Sequence, residues 1–215
     1  MSYSAISVWV VDPDVIRSRE ISSLINETVD IRCIRCFDDM AAVQTQVISP
    51  TSTQWPDVAL VFGPVDGEES EYLDIMIGIK LLKQQHPDLT CLYVDGADSR
   101  LHMIEAIHAG AHGVVVGYQP YVKFIKTIRR AVAGGLWMQP PLAKYAAHVF
   151  ADQAFKAEAD MMLPIQTDLL LAFMADGVSE QEALDVLQLS RRHILDFLRQ
   201  IYAALHRFAG IQFVA

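Results

Sequence analysis

Residues 56–64 read PDVALVFGP, and the five positions from Val58 to Phe62 are apolar without a break. A strand with one wet face alternates apolar and polar residues, whereas a strand covered on both faces does not, so VALVF reads as an inner strand of a parallel sheet. Gly63 and Pro64 end it. Residues Gly113–Val116, GVVV, have the same character. Outward from these two runs the chain repeats one unit. SVWVV (Ser7–Val11) precedes a helical pattern that Pro13 opens, with Ile16, Ile21, Leu24 and Ile25 on one face. IRCIRCF precedes a helix from about Asp38 to Val47, and VALVF one from about Tyr72 to Gln85. TCLYV (Thr90–Val94) precedes a helix over Ser99–Ala109, and GVVV one over Tyr121–Gly134. Five strands, each followed by a helix, predict an α/β domain: a five-stranded, doubly wound, flavodoxin-like parallel sheet with right-handed crossovers.

After Gly134 and Gly135 no further strand-and-crossover pattern occurs. Residues 1–135 are therefore expected to form the α/β domain. Pro140 and Pro141 stand at the front of a linker helix within 136–160, and residues 161–215 form a small all-α domain. In that domain DLLLAFMADG (Asp168–Gly177) reads as a helix closed by glycine, and SEQEALDVLQL (Ser179–Leu189) opens with a capping box, Ser179 with Glu182. Ser190 then caps RRHILDFLRQIYAALHRF. A short helix meeting a longer one through a tight polar turn is the helix-turn-helix arrangement.

Composition narrows the function classes. With 52% hydrophobic and 20% charged residues in 215, the chain can bury real cores and is not a disordered tail. Every long apolar segment is broken by charge or proline, so no membrane-spanning helix is expected. The first residues, MSYSAISVWVVDPD, lack the basic start of a secretory signal, which points to the cytoplasm. A net charge of −9 argues against coating nucleic acid with the whole surface, though not against one basic face. Cys33, Cys36 and Cys91 are too few for a disulfide framework. Cys33 and Cys36 make a C-x-x-C, but strict alternation along a strand puts positions three apart on opposite faces, so neither a metal site nor a redox pair is expected there. His102, His108 and His112 gather around the fourth helix without a spacing that makes them joint ligands. No phosphate-binding loop, nucleophile elbow or zinc-protease motif occurs, so no catalytic residue, metal or cofactor is assigned.

In order and spacing, VVDPD, PDVALVF, AIHAGAHGVVV and AVAGGLWMQPPLA, followed by ADGVSEQEALDVLQLSRRHILDFLRQIYAAL, resemble a response regulator of the NarL/LuxR class: a receiver domain joined to a LuxR-type helix-turn-helix. The resemblance implies a switch in which an aspartate at the end of the third strand takes a phosphoryl group beside a divalent cation. This chain departs from that pattern where the chemistry happens. Phe62 stands in the place of the phosphoacceptor, and Pro13 follows Asp12 where a second metal-binding acid is usual. Asp95 replaces the Ser or Thr of the fourth strand, Gly117 the Lys of the fifth, and Val114 the aromatic switch residue. The expectation is a receiver that has lost its phosphoacceptor, with Phe62 as core, acting as a dimerisation or partner-sensing module. An acidic cation site built from Asp12, Asp14, Asp66 and Asp95 is the sharper alternative. Trp137 and Met138 begin a motif by which some relatives bind a cyclic dinucleotide, but Gln139 and Pro140 lack its hydroxyl and its Arg.

Charge in the last domain is segregated. Residues 161–215 carry six acids and four arginines, a net −2, yet Ser190–Arg207 holds all four arginines against Asp196 alone. Arg191, Arg192 and His193 open the helix that the resemblance places in a DNA major groove, and Arg199 lies two turns further on. Leu195, Phe197 and Ala204 stand where the family often has charged or polar groups, so weak DNA binding per protomer, helped by homodimerisation or a partner protein, is expected. The chain therefore reads as a phosphorylation-independent DNA-binding transcription regulator, the alternative being a protein-interaction adaptor whose helix-turn-helix no longer binds DNA.

Overall fold

The computed structural model describes residues 5–48, 54–64, 69–96, 99–116, 120–133, 138–151 and 165–212. Two compact units divide the chain, residues 1–132 and 133–215.

The first unit alternates strictly: β1 Ile6–Val11, α1 Val15–Asn26, β2 Ile31–Phe37, α2 Met40–Ile48, β3 Val58–Phe62, α3 Glu69–Gln85, β4 Thr90–Asp95, α4 Arg100–Ala109, β5 Gly113–Val116 and α5 Tyr121–Val132. Its strands form one sheet in the order β2-β1-β3-β4-β5, parallel at every junction. All residues of β3 and β4 are buried, as continuous apolar runs between two helical layers must be. The strand order reverses direction at β1, so the carboxyl ends of β1 and β3 open onto the crevice where ligands of such folds bind. Val11 lies beside Val61, and Phe62 beside Val94. Asp12, Phe62 and Asp95 therefore come to one end of three adjacent strands.

Three details differ from the alternation and periodicity arguments. In α1 the buried face carries Arg17, Ser18 and Ile25, while Ile16 is 72% exposed. The helix is turned by one position because Arg17 has a buried partner, and its N-cap is Asp14, whose side chain accepts hydrogen bonds from the amides of Ile16 and Arg17. Helix α3 starts at Glu69, several residues before Tyr72, and Tyr72, Ile75, Met76, Ile79 and Leu82 form its buried face at helical spacing. In β2 the pairing with β1 slips: Val8 faces Cys33 but Trp9 faces Arg35, leaving Ile34 as an extra residue. Val8 and Val10 share a face of β1, so their partners Cys33 and Cys36 share a face of β2, and the expectation of opposite faces is overturned.

In the second unit α6 (Pro140–Ala151) packs against α7 (Ile165–Ala175), followed by α8 (Glu180–Leu187) and α9 (Arg191–Gln212). Proline opens α6, where the missing amide hydrogen costs nothing. Gly177 closes α7 at φ +78°; its amide bonds to Met174 O and that of Val178 to Phe173 O, the paired C-terminal pattern that a left-handed residue permits. Leu142, Ala146, Phe150, Leu170, Leu171 and Met174 are buried in the α6 and α7 faces, and Ile194, Leu198, Ile201 and Leu205 in that of α9. Among the described residues, no helix is long and apolar enough to cross a membrane.

Candidate functional site

The crevice at the strand ends is occupied by a side chain of the protein itself. Asp12 is fully buried, and Arg17 grips its carboxylate with two donors, Nε at 2.7 Å and Nη2 at 2.6 Å. This forked pairing is the strong form of an Arg–carboxylate bond. The same Nη2 donates to Gly63 O at 3.2 Å, and the guanidinium carbon lies 5.1 Å from the centre of the Phe62 ring. A third donor, the Asp14 amide, reaches Asp12 Oδ1 at 2.9 Å. Arg17 is itself only 8% exposed.

The neighbouring positions complete the enclosure. Phe62 is buried, its ring 6.3 Å from that of Phe124. Asp95 is fully buried and accepts a hydrogen bond from the Ser99 amide at 2.7 Å, which ties it to the start of α4. Tyr93, two residues earlier on the same strand, has its phenol pushed up by burial and then by the Asp95 carboxylate. Gly63 leaves room for that ring, since a Cβ there would collide with Tyr93 Oη. Pro13 is exposed between Asp12 and the cap residue Asp14. Val114 is buried opposite Tyr93. Gly117 and Asp66 lie outside the described residues, as does Trp137.

Arg17 is the site residue that sequence reasoning missed. An arginine in the first turn of a helix ordinarily reads as a solvated charge. The available signal was Asp12 at the end of an apolar strand: a buried carboxylate needs a counter-charge, and Arg17 follows it by five residues, in the first turn of the next helix. Of the four carboxylates of the alternative cation site, Asp66 lies outside the described residues and the other three are engaged separately. Asp12 is taken by Arg17, Asp14 caps α1, and among the described residues no group of three or more His, Cys, Asp or Glu is placed to hold a metal. The histidines have separate duties: His102 stacks on Tyr72 at 3.7 Å, and His112 accepts from the Cys91 amide through Nδ1.

The second candidate surface is the start of α9. Ser190 caps it, accepting from the His193 amide at 3.3 Å, with its hydroxyl 3.1 Å from His193 Nδ1. Gln188, in left-handed backbone at φ 51°, turns the chain out of α8, whose own cap Ser179 accepts from the Glu182 amide. Arg191, Arg192, His193 and Arg199 are all exposed. Arg191 Nε lies 3.4 Å from Glu180, and Arg199 bonds Asp196 at 3.1 Å and the Ala133 carbonyl at 2.6 Å. Leu195 and Phe197 are half-buried, whereas Ala204 is fully buried.

No protein-family model matches the sequence, and neither does any curated protein. Solved structures do match in fold. The RcsB response regulator of Salmonella typhimurium aligns over 94% of this chain and 92% of its own, with 15% identity and a TM-score of 0.53. RcsB dimers bound to two parallel DNAs give 14% identity and 0.54 over 96% of this chain and 98% of theirs. The isolated receiver domain of RcsB from Salmonella enterica serovar Typhimurium gives 13% and 0.52, covering 66% of this chain and 98% of its own. With its parallel five-stranded unit followed by a helix-turn-helix unit, the chain has the two-part fold of a response regulator.

Proposed function

We propose that this protein is a cytoplasmic, non-enzymatic transcription regulator that works without phosphorylation. Its first unit serves as a dimerisation or partner-sensing module, and its second contacts DNA through Arg191, Arg192, His193 and Arg199. The observation that carries the reading is the Arg17–Asp12 pair closed over Phe62. A receiver's pocket needs an open carboxylate for the cation and a nucleophile for the phosphoryl group. Here an internal guanidinium supplies the positive charge, and a phenyl ring cannot form an acyl phosphate. The exposed basic first turn of α9 supports the DNA-contacting role, as does the fold shared with RcsB, whose dimers have been solved on DNA.

Fluorescence anisotropy on genomic DNA fragments tests it. The native protein should give a salt-sensitive complex that Arg191→Ala with Arg192→Ala weakens strongly, with the slope of log affinity against log salt falling by about one for each phosphate left without its arginine. The contacts of Arg191 with Glu180 and of Arg199 with Asp196 and Ala133 favour a second reading, in which the basic groups hold the unit together and the protein is a signalling adaptor. Absence of any complex, or one that the double substitution leaves unchanged, would favour the adaptor.

A further inference from the structure

The slip in β2 brings two thiols together. Cys33 Sγ and Cys36 Sγ are 3.6 Å apart on one face of the edge strand, because Ile34 is the extra residue between them. Closing that gap to a bond of about 2.05 Å needs the sulfurs to approach by about 1.5 Å through side-chain rotation, within reach of two cysteines already sharing a face. Accessibility is asymmetric. Cys36 is exposed and Cys33 half-buried, while Cys91 is fully buried in β4. Burial and the neighbouring Cys36 push the Cys33 thiol up to about 12, so the solvent-facing Cys36 is the one placed to react first.

We propose that Cys33 and Cys36 form a reversible dithiol–disulfide site that reacts with small diffusible disulfides of the glutathione type. This site is independent of the DNA-binding reading. The exposed Cys36 thiolate attacks one sulfur of the disulfide RSSR, forming the mixed disulfide Cys36–S–SR and expelling RS⁻, which takes up the proton Cys36 released. Cys33 then attacks Cys36 Sγ, forming the internal bond and breaking the mixed one. The second RS⁻ leaves as RSH with the proton of Cys33. Two thiols are oxidised by two electrons, one disulfide is reduced to two thiols, and no other reactant is needed.

The test treats the full-length protein with oxidised glutathione, quenches with acid, and compares intact mass and tryptic peptides with and without dithiothreitol. Trypsin cleaves after Arg35, between the two cysteines, so the internal bond leaves two peptides joined. The expected product is lighter by about 2 Da, carries that joined pair, returns to the dithiol on reduction, and leaves Cys91 a free thiol. Cys33→Ser should instead stop at a persistent glutathione adduct on Cys36. Native protein that accumulates such adducts without the joined peptides, or that stays unmodified, would overturn the proposal.

Discussion

Arg17 carries the argument at the scale of single residues. Two charges buried together have lost their hydration, and the pair survives because each compensates the other; removing one partner strands the second. Arg17→Met should therefore lower the unfolding free energy by about 3–5 kcal/mol in urea titrations, since it leaves the Asp12 carboxyl buried without its partner. Adding Asp12→Asn to that variant should recover most of the loss, because a neutral amide still accepts from the Asp14 amide and needs no cation. A double variant no more stable than Arg17→Met would show that the pair is incidental. Tyr202 gives the residue-scale pH dependence. It is buried in α9 with no hydrogen-bond partner for its hydroxyl among the described residues, and burial pushes its phenol up. A raised acid pKa in the folded state means that its stability contribution is complete below the ordinary phenol value of about 10 and is lost as pH rises above it. Tyr202→Phe should remove this alkaline loss, and at neutral pH it should leave stability unchanged or higher by about 1 kcal/mol. Thermal unfolding of both forms between neutral and alkaline pH checks both parts.

Elements show where sequence logic holds and where it stops. VALVF was legible because burial on both faces leaves one chemical signature, and the caps Ser179 and Ser190 because a hydroxyl before a helix has one local use. The rotation of α1 was not legible, since Ile16 looks like core until Arg17 is seen to own the buried position. The slip in β2 was hidden for a related reason. Alternation assumes uninterrupted register, and nothing in IRCIRCF marks Ile34 as the extra residue. In α9 the helical period put Ile194, Leu198, Ile201 and Leu205 in the core, while Leu195 and Phe197 fall at its margin. The cap of that helix also orders the basic turn proposed to meet DNA. Ser190→Ala should cost about 1 kcal/mol of stability in urea titrations, and the frayed first turn should weaken DNA binding as well. A variant that loses stability but binds DNA unchanged would separate the turn from recognition.

At the scale of the molecule, the fold is shared with RcsB, and the crevice at the carboxyl ends of the strands is filled from within. Under the proposed function, DNA affinity should follow protein concentration and partner occupancy rather than phosphodonor. The most direct measurement incubates the purified full-length chain with Mg²⁺ and radiolabelled acetyl phosphate and counts label retained per protein. The expected result is no label above that of an unfolded control, with or without DNA. Stable labelling near one phosphoryl group per chain would contradict the central claim.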